Sequence, residues 1–265
     1  MAIAIVIPAR YGSTRFPGKP LALLGDKPMI QHVHEKAVAA VDGDPDVRIV
    51  VATDDARIET FCQKNGMEVI MTPATCRTGS DRVIEAADKM GLMAEDIVIN
   101  LQGDVPLMPV EIIRNVLEEF WNQPATKVAT PVKRLRWSEL DALREAKKTT
   151  PFSGTTVTMS TQNRALWFSK NIIPAIRNEE KLRAEGPFSP VYQHIGLYGY
   201  QVSILERFTN MSPGTYEELE GLEQLRFIEN FIAVQCLEVH PDLEIHSGID
   251  SPEDLERAQK ALKSA

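Results

Sequence analysis

Through the first half of the chain, short apolar runs alternate with longer amphipathic stretches. AIAIVIP near the start and DIVINL near residue 100 are apolar throughout, as expected for strands covered on both faces. With two further β-branched runs they predict strands at 3–8, 47–52, 67–72 and 96–102. Between them the apolar positions take a helical spacing, predicting helices at 29–40, 55–63 and 80–90, with another at 110–121. Strand and helix in turn at this spacing predict βαβ units and a parallel sheet.

Beyond residue 125 the rhythm changes. A strand at 127–135 and a helix at 138–147 are followed by strands at 155–160, 165–168 and 192–202 with no helical pattern between them. This predicts a smaller mixed-sheet excursion over about 150–205. The charged stretch 175–189, with Gly186-Pro187 near its end, reads as a mobile surface loop. A helix at 222–231 and strands at 234–239 and 244–248 return to the earlier rhythm. The last helix starts at Ser251, where Ser, Pro and acids in succession make a strong N-terminal signal. No repeat or low-complexity tract interrupts the chain, so residues 1–265 read as one α/β domain.

Composition narrows the function classes. The 265 residues are 43% hydrophobic and 25% charged, ordinary for a globular chain. A net charge of −8 argues against nucleic acid as partner, although a local basic cluster still suits a small phosphate. The apolar start is too short for a membrane span and lacks the marks of a signal peptide. Cys62, Cys76 and Cys236 are too scattered for a zinc site, and their odd number fits a reducing compartment. A cytoplasmic protein without a membrane partner is expected.

The chemistry begins after the first strand. PARYGSTRFPGKPL sets Arg10, Arg15 and Lys19 within ten residues, with Gly12 and Gly18 for tight turns. In an open parallel sheet ligands collect beyond the carboxyl ends of strands, so this cationic loop, with Ser13 and its backbone amides, is placed to surround a triphosphate. Five residues separate Gly12 from Gly18 and Pro20 follows Lys19, which excludes a P-loop; no dinucleotide glycine pattern is present either, which disfavours an NAD-dependent oxidoreductase. QGD at 102–104 ends the fourth strand, and Gly248-Ile249-Asp250 precedes the last helix. Asp104 and Asp250 therefore read either as a turn residue and a helix cap, or as two carboxylates that converge to hold Mg²⁺ against phosphates. Arg77-Thr-Gly-Ser-Asp-Arg82 is a turn entering a helix, with Ser80 available as its cap.

Taken together these motifs resemble the sugar-activating cytidylyltransferases, and among them the 3-deoxy-manno-octulosonate (KDO) cytidylyltransferase family, the CMP-KDO synthetases. The signature loop, QGD, QHIGLYGY at 193–200, LEQLR at 222–226 and GIDSPEDLE from Gly248 occur in that order along nearly the whole chain. The resemblance implies a Rossmann-like nucleotide-diphospho-sugar transferase fold, with a mostly parallel central sheet and a homodimer built on the mixed excursion. It implies CTP phosphates on Ala9, Arg10, Ser13, Arg15 and Lys19, and cytosine read by Thr78, Ser80 and Arg82. Asp104 and Asp250 become the Mg²⁺ ligands, and Arg10, Lys19, Asp104 and Asp250 the catalytic set. The acid-sugar acceptor would lie on Gln102, Lys170, Arg177, His194, Tyr198, Glu223 and Gln224, and the product would feed lipopolysaccharide assembly.

Read without the resemblance, His194 is a satisfied strand histidine and Tyr198 a packing aromatic. The chain also departs from the family pattern. Val105 stands where an acid or amide follows QGD, Lys170 and Gln193 replace arginines, Thr78 replaces a serine, and 155–160 lacks the usual strand lysine. These changes leave open an altered acceptor, such as 8-amino-KDO or another small acid, or a non-catalytic nucleotide-binding homologue.

Overall fold

The computed structural model describes residues 1–12 and 16–264. The chain divides into two compact units, each assembled from separated stretches: Met1–Glu118 with Leu197–Thr209 and Glu244–Ala265, and Glu119–Gly196 with Asn210–Leu243.

The first unit holds the expected parallel sheet. Its strands are β1 (Ile3–Ala9), β4 (Val47–Thr53), β5 (Val69–Met71) and β6 (Ile97–Leu101), in the order β5-β4-β1-β6, all parallel. β11 (Leu197–Gln201) is antiparallel to β6. A two-stranded ribbon, β2 (Leu23–Leu24) and β3 (Lys27–Pro28), precedes the first long helix. β6 is buried at all five positions and β1 at six of seven; their uniform hydrophobicity follows from helices covering the sheet. α1 (Met29–Val41) packs on β4 and β1, α2 (Ala56–Lys64) on β5 and β4, and α3 (Gly79–Lys89) on β1 and β6. α4 (Val110–Asn122) follows β6, α7 (Val202–Asn210) follows β11, and α10 (Pro252–Ser264) closes the chain.

The second unit is the mixed-sheet excursion. Its strands are β7 (Val128–Arg136), β8 (Thr156–Met159), β9 (Ala165–Ser169), β10 (Phe188–His194) and β12 (Gln235–Glu238). The order is β12-β7-β10-β8-β9, parallel only between β12 and β7. Its helices are α5 (Trp137–Ala146), α6 (Glu179–Glu185), α8 (Thr215–Glu220) and α9 (Leu225–Glu229). Leu135, Trp137, Leu140 and Val191 form a core on which Leu143, Ile172, Ile176 and Leu182 pack.

Four expectations need correction. The stretch 175–189 is not all loop: it contains α6 and the start of β10. Leu182 anchors α6 on the core, Arg183 lies over the Trp137 ring at 4.5 Å, and Glu179 pairs with Arg144 and Arg183. The single strand at 192–202 is two, separated by Ile195 and Gly196, because Ile195 N–H turns to the carbonyl of Pro131. No strand forms at 244–248; this segment runs beside the QGD loop, and Ile249 N–H donates to the Asp104 carbonyl at 2.9 Å. The helix at 222–231 shortens to α9, preceded by a turn after Gly221, whose φ of 62° ends α8. α7 and α8 had no counterpart in the sequence reading.

Candidate active site

An open cleft of about 220 Å³ lies at the carboxyl ends of β1 and β6. The parallel register of these strands brings the loops that follow them to the same sheet edge. Contact there is close: a Cβ on Gly103 would stand 2.9 Å from the Pro8 carbonyl oxygen, so only glycine lets QGD approach the first loop. Ala9, Arg10, Lys19, Thr78, Arg82, Gln102, Asp104 and Asp250 all line this cleft.

Its centre is one ammonium between two carboxylates. Lys19 Nζ donates to Asp104 Oδ2 at 2.9 Å and to Asp250 Oδ1 at 3.2 Å. Lys19 opens a short 3-10 turn after Gly18, whose φ of 73° and N–H bond to the Tyr11 carbonyl close the cationic loop. The Tyr11 ring packs on Gly18 and beneath Arg57, which is itself held by Asp55. Asp250 does not follow a strand, as expected from sequence, but the coil pinned to Asp104. It is not the helix cap either: Ser251 Oγ accepts from Asp254 N–H, and Asp254 accepts in return from Ser251 N–H. Arg10 stands exposed at the cleft with no ion-pair partner among the described residues. Ser13 and Arg15, expected on the phosphates, lie outside the described residues.

The turn into α3 forms the cleft's other wall. Thr78, not Ser80, caps the helix: its Oγ1 accepts from Asp81 N–H, while Asp81 accepts from Thr78 and Arg77 N–H. Ser80 is buried in the first turn and is absent from the cleft wall. Arg82 reaches the cleft from a buried position, its guanidinium held by Asp54 and Thr72. Gly79, Arg77 and Cys76 complete this side; burial raises the Cys76 thiol pKa, against the pull of Arg82. Arg77 and Cys76 were not singled out from sequence, although RTGSDR already placed Arg77 at the helix entrance.

The expected acceptor residues divide between the units. In the first, Gln102 Nε2 donates to Asn100 Oδ1 at 2.9 Å, and Tyr198 pairs across β11–β6 with Asn100. The Tyr198 ring stacks on Tyr200 with centroids 5.5 Å apart. In the second, Lys170 and His194 come together. Lys170 is half-buried, and its ammonium has no hydrogen-bond or ion-pair partner among the described residues; burial lowers its pKa, opposed by the charge of Glu220. His194 packs edge-on to Phe168 and bonds Thr130 through Nε2 at 3.0 Å. Burial, aided by the Lys170 charge, pushes its pKa down to about 3, so the ring is neutral. Glu223 is half-buried in the turn before α9, Gln224 is buried beside it, and Arg177 is exposed.

A family model described as cytidylyltransferase matches residues 4–234. The 3-deoxy-manno-octulosonate cytidylyltransferase of Maricaulis maris is 41% identical over 98% of this chain and 96% of its own length. That of Halorhodospira halophila is 39% identical over 99% and 98%. The chain belongs to the 3-deoxy-manno-octulosonate cytidylyltransferase family. A solved structure of CMP:2-keto-3-deoxy-manno-octonic acid synthetase complexed with CTP superposes with a TM-score of 0.84 and 35% identity, over 100% of this chain and 99% of that one. The fold expected from the family motifs is therefore the fold of the chain.

Within the family's fold, the Asp104–Asp250 pair offers two hard oxygen donors beside a cationic loop. Mg²⁺ takes one or two carboxylates and completes its shell with phosphate oxygens and water, so this donor set fits it. Among the described residues no group of three or more His, Cys, Asp or Glu side chains forms a separate metal cluster. No helix among them is long and apolar enough to cross a membrane.

Proposed function

We propose that this protein transfers the cytidylyl group of CTP to the anomeric hydroxyl of KDO or a close acid sugar, releasing pyrophosphate. The observation that carries this reading is the convergence of Asp104 and Asp250 on Lys19, in a cleft walled by Arg10 and the amides of the α3 entrance.

In this reading the triphosphate lies on Arg10 and Lys19, and the base lies against Thr78, Gly79 and Arg82. Asp104 and Asp250 would hold Mg²⁺, which supplies charge neutralisation at the phosphoryl oxygens. The acceptor hydroxyl oxygen attacks the α-phosphorus and releases its proton to solvent, the bond to the bridging oxygen of the β-phosphate breaks, and pyrophosphate departs with that oxygen. Arg10 and Lys19 offset charge that grows on the leaving group, so the protein contributes chiefly position and electrostatics. The carboxylate of the sugar pairs with the unpartnered Lys170 ammonium, and His194, Glu223 and Gln224 meet hydroxyls. Lysine there is a point charge where the family carries a guanidinium fork; this favours 8-amino-KDO or another altered acid as a second acceptor to assay. The same family reading supports a cytoplasmic homodimer joined through the second unit's sheet and a product used in lipopolysaccharide assembly.

The test is pyrophosphate release with CTP and Mg²⁺ against KDO, its 8-amino analogue, a sialic acid and a buffer blank. Release with KDO or its analogue supports the reading. CTP binding without release with any of them overturns the acceptor assignment.

A further inference from the structure

Around Lys170 the backbone is held at every turn while the ammonium is left unpartnered. Its N–H donates to Glu220 at 2.5 Å, and its carbonyl accepts from Lys147 Nζ at 2.6 Å. Ser169 Oγ donates to both Glu220 oxygens and accepts from Asn171 N–H. Thr156 Oγ1 donates to the Asn171 carbonyl and accepts from Ile173 N–H. Lys147 in turn gathers the carbonyls of Pro151, Ser153 and Gly154, tying the 150–154 turn to the same point. Such a lattice fixes one backbone placement for residues 169–173, and so the origin of the Lys170 side chain.

We propose that Glu220 and Lys147 are positioning residues for the acceptor: they clamp the N–H and C=O of Lys170 so that its ammonium is presented to the carboxylate of the acid sugar, and Glu220 supplies its counter-charge. The inference rests on the assignment of Lys170 to the acceptor carboxylate. Lysine, unlike arginine, loses its proton readily when buried. The groups of known charge facing Lys170 are Glu220 from α8, Lys147 after α5 and the neutral His194 from β10. Burial lowers the Lys170 pKa and Glu220 raises it, so removing the Glu220 charge moves deprotonation to lower pH. Anion binding needs the protonated form, and it should fail at correspondingly lower pH.

The experiment follows pyrophosphate release with acceptor concentration and pH varied at saturating CTP, and with CTP varied at saturating acceptor, for wild type, Glu220→Gln, Lys147→Met, Lys170→Arg and the Glu220→Gln/Lys170→Arg pair. In parallel, the pH dependence of Lys170 acylation is read by mass spectrometry, which needs no activity. Glu220→Gln and Lys147→Met should each raise the acceptor KM roughly tenfold, the size of one lost charge-assisted hydrogen bond, with the KM for CTP unchanged. In Glu220→Gln the alkaline rise in acceptor KM and the onset of Lys170 acylation should both move to lower pH; Lys170→Arg should remove that rise, and the pair should show no shift. Glu220→Asp keeps the charge and covers the case in which Glu220→Gln fails to fold; its acylation onset should match wild type. An unchanged acylation profile in Glu220→Gln, or a pH shift that persists in the Glu220→Gln/Lys170→Arg pair, overturns the proposal. A wild type that activates no acid sugar overturns the functional reading instead, while acylation still reports on Glu220.

Discussion

Lys19 and Asp250 are 231 positions apart and meet at 3.2 Å. That meeting depends on small residues: Gly103 lets QGD approach Pro8, and Gly248 sits against the Asp104 carboxylate. Replacing either acid by its amide keeps the shape and removes the charge. Asp104→Asn and Asp250→Asn are each expected to slow pyrophosphate release by roughly 10²-fold or more, the scale of a lost electrostatic contribution at a transferring phosphoryl group. Circular dichroism should show both variants folded. Gly103→Ala forces a Cβ against a backbone oxygen that no rotamer can relieve; a loss of about 1–3 kcal/mol in denaturant unfolding is expected. His194 contributes a pH term. Its folded pKa lies near 3, below the ordinary value of 6.5, so its stabilisation is present above pH 6.5 and is lost as pH falls towards 3. The loss approaches about 1.4 kcal/mol for each pH unit. His194→Gln keeps a partner for Thr130 and should narrow the stability difference between pH 7.5 and pH 5 by one proton's worth in unfolding titrations. At this scale sequence revealed the charged residues, because charge on a loop after a buried strand is conspicuous. Duties settled by geometry were hidden: Thr78 rather than Ser80 as cap, and Arg82 held by Asp54 and Thr72.

Most elements of the first unit were readable because its parallel strands are largely apolar and its longer helices carry one apolar face, whereas the short β2–β3 ribbon carries no such signal. In the second unit periodicity was a weaker guide, because its shorter helices are fixed by ion pairs as well as by packing. α6 buries no residue fully, yet Arg144 and Arg183 hold Glu179 and lower its pKa to about 2. α8 and α9 are joined by the buried pair of Glu217 with Arg226, whose Nε donates at 2.7 Å; Glu217 also caps α8 through Gly214 N–H. LEQLR therefore carries a structural arginine beside the half-buried Glu223 and buried Gln224. Arg226→Met would strand a buried carboxylate, and a loss of about 3–5 kcal/mol is expected in chemical denaturation. The absence of a strand at 244–248 belongs to this scale too. Alternating residues resemble a strand, but this backbone spends its bond on the Asp104 carbonyl, and Asp250 reaches the cleft because of it.

For the molecule, a net charge of −8 coexists with a basic loop at the cleft. An acidic exterior with a local cationic site suits a small polyanionic substrate better than a nucleic acid. The fold and family follow from motifs spread over nearly the whole length, matched by relatives near 40% identity. The acceptor is less legible, since Lys170 and Gln193 alter the pocket pattern and sugar hydroxyls leave no signature in composition. The most direct measurement is pyrophosphate release with CTP, Mg²⁺ and KDO by wild type and by Asp104→Asn. The expected result is release that requires the acid sugar and falls roughly 10²-fold in the variant. Equal release by the two proteins, or release independent of the sugar, would contradict the account.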